Sequence, residues 1–406
     1  MRHTLTPLVL ALIAAMSTHA AAADNSVRVD QSGNKHIATA EQRDSVGSTL
    51  WQAQTGEQNR AEALQNAGID NHTEQTQRGN SNVALSEQTG GNDNQIVQLQ
   101  EGSFNQARVL QVGGSIEWNQ VSQEQRGEFN SASATQIDQF RGSSTTQNQE
   151  GSYNSASARQ VVGSSARAIS DQHGESNSLT ISQVGADRTN ASVTQYGIAN
   201  HTVIDQSNTY RVEAVALSFG EGNTTSINQR NGTDQFALTE IQGRDNTASI
   251  TQSRDSERAN ALQVGNNNAV NLSQAGPALA NVIQNGERND VDGTQAGSYL
   301  IASVNQTGNS NVTAFAQNGR SHMLSIDVMG ERNDILSMQS GIGNELELNQ
   351  NGNDNLITAS QSGSGNLGDI TQTGVSHAAT ITQLGSSDSV TITQAGNSNQ
   401  ATVTQR

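Results

Sequence analysis

The sequence predicts an all-β protein, a β-solenoid of about seventeen strand-turn-strand-turn coils with 22–23 residues in each coil. Three features of the sequence support this fold. Glutamine recurs every eleven or twelve residues, polar and apolar residues alternate between the glutamines, and glycine follows most of these glutamines by two positions. Alternation with a period of two is typical of a strand with one buried face, and glycine accepts the positive φ angles that turns require.

The glutamine spacing defines the repeat. From Gln339 to Gln405 the step is eleven residues, and from Gln31 to Gln111 it alternates between eleven and twelve. The unit is therefore a pair of half-coils, of which the first reads Q-x-G-x-x-N-x-A-x-x-x-Q. Seventeen units start at residues 31, 54, 77, 100, 125, 149, 172, 195, 218, 242, 263, 284, 306, 328, 350, 372 and 394.

Each half-coil predicts one strand and one turn. In residues 399–405 (NQATVTQ) the first, third, fifth and seventh side chains share one face, which predicts a strand of about seven residues. The four residues between Gln394 and Asn399, with Gly396 among them, predict the reversal. An eleven-residue spacing also occurs in right-handed coiled coils. A helix is disfavoured because glycine recurs in nearly every half-coil and Thr, Ser and Val crowd the strands.

Stacked coils explain why glutamine is the repeating residue. At a stacking distance of about 4.8 Å each glutamine lies over the glutamine of the neighbouring coil, so the side-chain amides can form a ladder. The predicted ladder residues are Gln54, Asn59, Gln65, Gln77, Asn82, Gln88, Gln100, Asn105, Gln111, Gln350, Asn355, Gln361, Gln394, Asn399 and Gln405. The predicted turn glycines are Gly56, Gly79, Gly102, Gly352 and Gly396. Ser218 and Val328 stand where glutamine is expected, and Val328 should deprive both neighbouring amides of a partner.

The composition fits a thin core. Hydrophobic residues make up 32% of the chain, aromatic residues 3%, and there is no cysteine. Such a composition also fits a disordered Gln/Asn-rich polymer, and the order of the residues decides between the two. The net charge of -17 argues against nucleic acid or an anionic membrane as a partner.

The N-terminus predicts export. Arg2, an apolar run over residues 8–15 and the alanines at 21–23 form the pattern of a secretory signal peptide, here residues 1–23. The run is short for a membrane span, although an N-terminal anchor is the alternative. We expect a secreted, extracellular protein whose solenoid domain covers residues 24–405, with an irregular joint near 206–245.

No residue pattern predicts catalysis, a cofactor or a metal site. The histidines contain no pair with metal-ligand spacing; they are His3, His19, His36, His72, His173, His201, His322 and His377. His36 and His377 occupy the asparagine position of the repeat, which predicts a solvated or ladder-capping role. Calcium binding by the acidic turn residues would call for a tighter repeat, and an enzyme on this fold would need longer loops. We therefore expect a protein that is not an enzyme.

The repeat S-x5-Q-x-G-x-x-N-x-A-x-x-x-Q resembles the curlin repeat of bacterial curli subunits. Residues 45–65 (SVGSTLWQAQTGEQNRAEALQ) carry the whole pattern, and the resemblance extends over residues 31–405. It implies a subunit of a secreted amyloid fibre, in fimbriae that serve adhesion and biofilm formation. It also implies three partners: further copies of the chain, a nucleator subunit and an outer-membrane export channel.

A monomeric solenoid adhesin is the alternative, with ice binding as its special case. T-x-T pairs at Thr380/Thr382, Thr391/Thr393 and Thr402/Thr404 suit an ice-binding face. However, successive half-coils are expected on opposite sheets, so that one face would show Thr391 and Thr393 alone. We also expect the last strand, which reaches Gln405, to lack a cap, and an open strand edge favours a polymer.

Overall fold

The computed structural model describes residues 24–113, 118–139 and 142–406. The predicted signal peptide lies outside the described residues. Within them the chain forms 34 β-strands and no helix. The predicted all-β solenoid is thereby confirmed.

The chain divides into two compact units. The first comprises the described residues up to Ala199 together with Val203–Tyr210, and the second comprises Asn200–Thr202 together with Arg211–Arg406. The division falls near the N-terminal side of the joint that we predicted at 206–245, and the joint itself stays a prediction.

In each unit the odd-numbered strands form one parallel sheet, sheet A, and the even-numbered strands form a second, sheet B. In the first unit, sheet A contains β1 (Ser26–Asn34), β3 (Thr49–Glu57), β5 (His72–Asn80), β7 (Gln95–Ser103), β9 (Gln120–Glu128), β11 (Ser144–Ser152), β13 (Arg167–Glu175) and β15 (Asn190–Ile198). Sheet B contains β2 (Ile37–Val46), β4 (Arg60–Ile69), β6 (Val83–Thr89), β8 (Gln106–Val112), β10 (Ser131–Gln139), β12 (Ser155–Gly163), β14 (Ser178–Val184) and β16 (His201–Ser207), of which all but the first two residues belong to the first unit. These sixteen strands make eight coils.

The second unit continues the pattern with eighteen strands in nine coils. Sheet A contains β17 (Glu213–Glu221), β19 (Phe236–Arg244), β21 (Glu257–Asn266), β23 (Ala278–Glu287), β25 (Leu300–Asn309), β27 (Met323–Glu331), β29 (Glu345–Asn353), β31 (Leu367–Val375) and β33 (Ser389–Asn397). Sheet B contains β18 (Thr224–Arg230), β20 (Thr247–Gln252), β22 (Ala269–Ala275), β24 (Asp290–Ser298), β26 (Val312–Arg320), β28 (Asp334–Ile342), β30 (Leu356–Ser364), β32 (Ala378–Gln383) and β34 (Gln400–Gln405).

Strand pairing is in register over whole strands. In β3 and β5, for example, Gln54 pairs with Gln77 and Gly56 with Gly79. Equivalent residues of successive coils therefore lie directly over one another, and each position of the repeat becomes a column that runs along the unit.

The core between the two sheets is narrow and partly polar. Ile96, Val109, Val121 and Ala134 form one of its apolar clusters. Along each strand such residues alternate with outward polar ones, and buried glutamines lie beside them on the inward face. A core of this kind explains how a chain with 32% hydrophobic residues folds.

The turn after each A strand is tighter than the sequence suggested. The strand continues past the glycine, as β3 continues past Gly56 to Glu57, and the chain then reverses at Gln58 and Asn59. Gly56 has φ of 116°, and Gln58 lies in the left-handed region at 57°. A Cβ atom on Gly56 would lie 2.1 Å from the Gly79 carbonyl oxygen, much closer than van der Waals contact allows. The glycine is therefore required by the close approach of two backbones as well as by its φ.

Candidate functional site

Glutamine side chains form continuous hydrogen-bonded columns inside each unit. In sheet A of the first unit each Nε2 donates to the Oε1 of the next coil at 2.7–2.9 Å, from Gln31 through Gln54, Gln77, Gln100, Gln125, Gln149 and Gln172 to Gln195. The second amide hydrogen crosses to the opposite sheet, as in Gln54 Nε2 to Ile37 O at 3.0 Å. Both donors and the acceptor of such a buried amide are therefore satisfied.

Sheet B carries an equivalent column in each unit. Gln42 donates to Gln65, and the series continues through Gln88, Gln111, Gln136, Gln160 and Gln183 to Gln206. In the second unit it runs through Gln229, Gln252, Gln274, Gln295, Gln317, Gln339, Gln361, Gln383 and Gln405. Every bond points from one coil to the following coil. The columns thus have one polarity, with donors facing the C-terminal direction.

A further glutamine column was missed at the sequence level. Gln52, Gln75, Gln98, Gln123 and Gln147 are buried in sheet A of the first unit and are linked at 2.7–2.9 Å. The sequence does contain a pattern that indicates this column, the recurring tripeptide Q-x-Q (QAQ, QTQ, QLQ, QEQ, QNQ). Both glutamines of such a tripeptide share the inward face of the strand. The column ends where Ser170 pairs with Gln147.

Asparagine columns hold the turns together. The backbone N–H of Asn82 donates to Oδ1 of Asn59 at 3.0 Å, and Asn59 Nδ2 donates to Gly79 O at 2.8 Å. Similar contacts recur along the turns that follow sheet A, for example at Asn105 and Asn355. The asparagine thus links each turn to both the preceding and the following coil.

Three histidines take the place of asparagine in such columns. His377 is 1% exposed, accepts the backbone N–H of Asn399 at its Nδ1, and approaches Thr373 O through Nε2 at 3.1 Å. His36 makes the equivalent contacts and is half-buried. His322, which the sequence analysis did not single out, does the same in the turn that follows sheet B and is also 1% exposed.

The glutamine column of sheet A in the second unit has three positions without glutamine. Two were predicted, Ser218 and Val328. The third corrects our register: Ile241, not Gln242, pairs with Ser218 and Gln263, and Gln242 points outward. The turn motif Q-x-G-x-x-N already indicated that Ile241 occupies the glutamine position, because Gly243 and Asn246 stand two and five residues after Ile241.

The expectation that Val328 deprives both neighbours of a partner is wrong for Gln306. Gln306 Nε2 donates instead to Thr313 Oγ1 at 2.9 Å and to Asp290 O at 3.2 Å. Gln350 Oε1, on the other side of Val328, has no hydrogen-bond partner among the described residues. Gln263 Oε1, which lies beside Ile241, likewise has no hydrogen-bond partner in the described part of the chain.

Outward residues also stack in columns. Phe104, Phe129 and Tyr153 form parallel rings with centroids 4.9 Å apart along successive turns. Arg78 Nη1 lies 2.7 Å from Glu101, which also faces Arg126 at 3.6 Å. Opposite charges on neighbouring coils favour the observed register, although exposed pairs contribute little stability.

The threonine pairs are divided between the two sheets, as the alternation of half-coils predicts. Thr380 and Thr382 of β32 pair with Thr402 and Thr404 of β34, so two T-x-T strands are neighbours in sheet B. Thr358 continues one of these columns to β30. In sheet A, Thr391 pairs with Asp369 and Thr393 with Thr371, so the strand beside this T-x-T pair does not repeat it, as the sequence analysis expected.

The described residues contain no group of three or more His, Cys, Asp or Glu side chains that could hold a metal ion. Nor does any helix of the described ranges have the length and apolarity to cross a membrane.

Sequence comparison agrees with this repeat architecture. The sequence model of the family described as Curlin associated repeat matches residues 243–276 and 352–385. Each matched segment runs from one turn glycine to another, Gly243 to Gly276 and Gly352 to Gly385. No curated protein matches the chain. With their turn glycines and stacked asparagines, the matched segments are thus similar to the curlin associated repeat.

Proposed function

We propose that the protein is a structural subunit of a curli-like extracellular amyloid fibre, which grows when coils of one copy stack on coils of another. The observation that carries the proposal is the polarity of the glutamine columns. Each coil offers Nε2 donors on one side and Oε1 acceptors on the other, as between Gln372 and Gln394 at 2.8 Å. A coil of another copy, joined in the same direction, would meet the same donors and acceptors.

Three features of the described coils support a structural rather than an enzymatic role. The inward positions are filled by packed or hydrogen-bonded side chains, the turns are short, and the repeat assigns most polar groups to contacts between coils. Parallel strands in register also extend readily by adding another strand at the edge. Secretion rests on the signal-peptide pattern of residues 1–23. A nucleator subunit and an outer-membrane export channel are the partners that the family resemblance suggests.

Oriented fibre diffraction of the purified chain from residue 24 to 406 tests the proposal. A single solenoid already contains stacked strands, so a reflection near about 4.7–4.8 Å does not by itself prove assembly. The direction of this reflection does prove assembly. If coils of different copies stack on one another, the strand-spacing reflection lies along the fibre axis, and a reflection near about 10 Å lies at right angles to it. Fibres with the strand spacing across the axis would contradict stacking, and a chain that stays monomeric after seeding would favour the adhesin.

The monomeric adhesin or ice-binding protein remains the second candidate, because Thr380, Thr382, Thr402 and Thr404 form a regular hydroxyl array. The array covers few coils, and in β28 Leu336 and Met338 occupy the positions equivalent to Thr380 and Thr382. Replacing both Thr380 and Thr402 by Val should abolish ice or surface binding if this candidate is correct, and should leave fibre formation intact if it is not.

A further inference from the structure

His322 and His377 are buried polar groups whose hydrogen bonds fix one protonation state. In each ring Nδ1 faces a backbone N–H of the following coil, Asn344 N for His322 and Asn399 N for His377, both at 3.2 Å. A backbone N–H always donates, so Nδ1 must carry a lone pair. Nε2 faces a carbonyl oxygen four residues back at 3.1 Å and must carry the hydrogen. Both contacts can form together in the neutral imidazole alone.

Asparagine at the same position has no such restriction. Its Oδ1 accepts the backbone N–H of the following coil at any pH in the ordinary range, as Asn344 Oδ1 does for Asn366 N at 3.0 Å. The histidines therefore replace a contact that is insensitive to pH by one that requires a neutral ring.

We infer that His322 and His377 make two coil junctions of the second unit sensitive to acid, because protonation of Nδ1 places two N–H donors against each other and removes the bond to the following coil. The inference concerns the folded chain itself and is independent of fibre formation.

The surroundings of His322 disfavour an added proton. Burial lowers the pKa of His322, with smaller opposing contributions from the carbonyl groups of Asn318 and Gly341. The charged residues nearest to it in the stacked turns, Arg320 and Glu345, are exposed and outward. Arg320 packs over the ring of Tyr299, 5.8 Å from its centroid.

The turn of His377 is similarly poor in charge. The preceding coil contributes Asp354, which is exposed and is held by Arg332 at 2.7 and 3.0 Å. The following turn, at residues 397–399, contains Asn and Ser but no titratable side chain. The Asp354 carboxylate is thus engaged with Arg332.

The direction of the effect follows for His322. The unfolded chain takes up a proton near pH 6.5, whereas the folded chain resists it to a lower pH. Stability from this group is complete above about pH 6.5 and is lost as the pH falls below it. Each pH unit in that window can change the opening equilibrium by at most about tenfold.

Hydrogen exchange on the monomeric chain tests the inference at the residues concerned. Between pH 7.5 and 5.0, protection of the segment containing Asn344, corrected for intrinsic exchange, should fall several-fold in the parent. Protection of this segment should stay constant in the variant His322→Asn, which introduces the asparagine that the following coils carry at Asn344 and Asn366. His377→Asn should do the same for the segment containing Asn399.

His201→Asn serves as the matched control, since His201 is exposed at the start of β16. This variant should lose protection at Asn344 in acid as the parent does. An equal loss in the parent and in His322→Asn, or no loss in the parent, would overturn the inference.

Discussion

Val328 illustrates how a buried amide responds to a missing neighbour. A buried polar atom without a partner costs about 1–3 kcal/mol, whereas a satisfied hydrogen bond contributes about 0.5–1.5 kcal/mol. Gln306 avoids this cost because Thr313 lies within reach of its Nε2. Gln350 Oε1 does not, since it lies beside the apolar side chain of Val328. At the scale of single residues, the columns specify register mainly because a slipped coil would leave many amides in the state of Gln350.

Glu257 is the least expected residue in the turns that follow sheet B, where it lies between Gln235 and Ala278 of the neighbouring coils. It is fully buried and accepts the backbone N–H groups of Gly276 at 2.6 Å and Arg254 at 3.1 Å, and Gln235 Nε2 at 3.0 Å. Burial raises the pKa of its carboxyl from 4.5 to about 7, although these hydrogen bonds act in the opposite direction. The folded state therefore favours the protonated acid, and stability falls as the pH rises through the window from 4.5 to about 7.

We predict that Glu257→Gln stabilises the protein at pH 8. The shift of the Glu257 pKa corresponds to a penalty of about 3 kcal/mol for the ionised group, so removing the charge should recover about 1–3 kcal/mol. The substituted amide would donate to Gln235 Oε1, which has no partner among the described residues, if the Gln235 amide, which now presents Nε2 to position 257, turns over. Urea unfolding at pH 8 and at pH 4.5 measures the effect.

The two pH values provide the control for this prediction. The advantage of Glu257→Gln should shrink at pH 4.5, where the parent carboxyl is protonated in the folded chain and about half protonated in the unfolded chain. A gain that is the same at both pH values would show that charge is not its cause. The effect has the opposite sign to that of His322, so the pH dependence of global stability alone would not separate the two groups.

At the scale of the half-coil, the turn rather than the glutamine sets the register. The glycine columns bring backbones so close that a Cβ atom is excluded, and asparagine ties each turn to the next. Where glutamine and glycine disagree, as at Gln242 and Gly243, the strand aligns by the glycine and places Ile241 inward. The backbone contact prevails because no rotamer can relieve a clash of Cβ with a carbonyl oxygen.

We predict that Gly79→Ala is far more costly than Gly90→Ala. Both glycines have positive φ, 112° and 76°, so both variants incur the left-handed strain of about 1–2 kcal/mol. At Gly79 the new Cβ would also collide with the carbonyl oxygen of Gly102, whereas Gly90 has no neighbouring atom within 4 Å in the described structure. The added cost should exceed about 2 kcal/mol, since the two backbones must separate.

Urea unfolding and hydrogen exchange around Gly79 and Gly102 provide the measurements. Gly90→Ala is the control, because it isolates the strain of the backbone conformation. If the two variants lose the same free energy of unfolding, close backbone approach is not what fixes glycine in the column.

Much of this architecture could be predicted from the sequence because each column is a repeat of one residue type. The spacing of Gln54, Gln65 and Gln77 was sufficient to assign two strands to a coil and to place the amides over one another. The column through Gln75 was missed because a second polar residue in a strand is more often outward. Glu257 and His322 were missed because their burial depends on turns that neighbouring coils complete, which no local pattern records.

At the scale of the whole molecule, charge is the main term that opposes association. The chain carries 38 acidic against 21 basic residues, a net charge of -17, which becomes -18 if Arg2 is removed with the signal peptide. Stacking also brings like charges together: Asp369 pairs with Glu347 on neighbouring coils, and burial followed by this neighbour raises the pKa of Asp369. Growth of a fibre would repeat such contacts along its length.

We therefore predict that salt shortens the lag phase of assembly. The Debye length falls from about 30 Å at 0.01 M to about 8 Å at 0.15 M salt, so repulsion between chains of equal charge is screened before their coils meet. Sodium chloride should therefore shorten the lag phase. Sucrose provides the control, because it is excluded from the protein surface and strengthens apolar burial without screening charge. Seeded and unseeded kinetics followed by light scattering and sedimentation give the lag time.

A variant with three exposed acids neutralised separates screening from other actions of salt. Glu175→Gln, Asp334→Asn and Glu345→Gln change outward positions that lie outside the glutamine and asparagine columns. The triple variant should assemble faster than the parent in 0.01 M salt and should respond less to added salt. Electrostatic repulsion does not limit the stacking of this chain if the lag time of the parent is the same in 0.01 and 0.15 M sodium chloride. The same conclusion follows if added salt shortens the lag time of the triple variant as much as that of the parent.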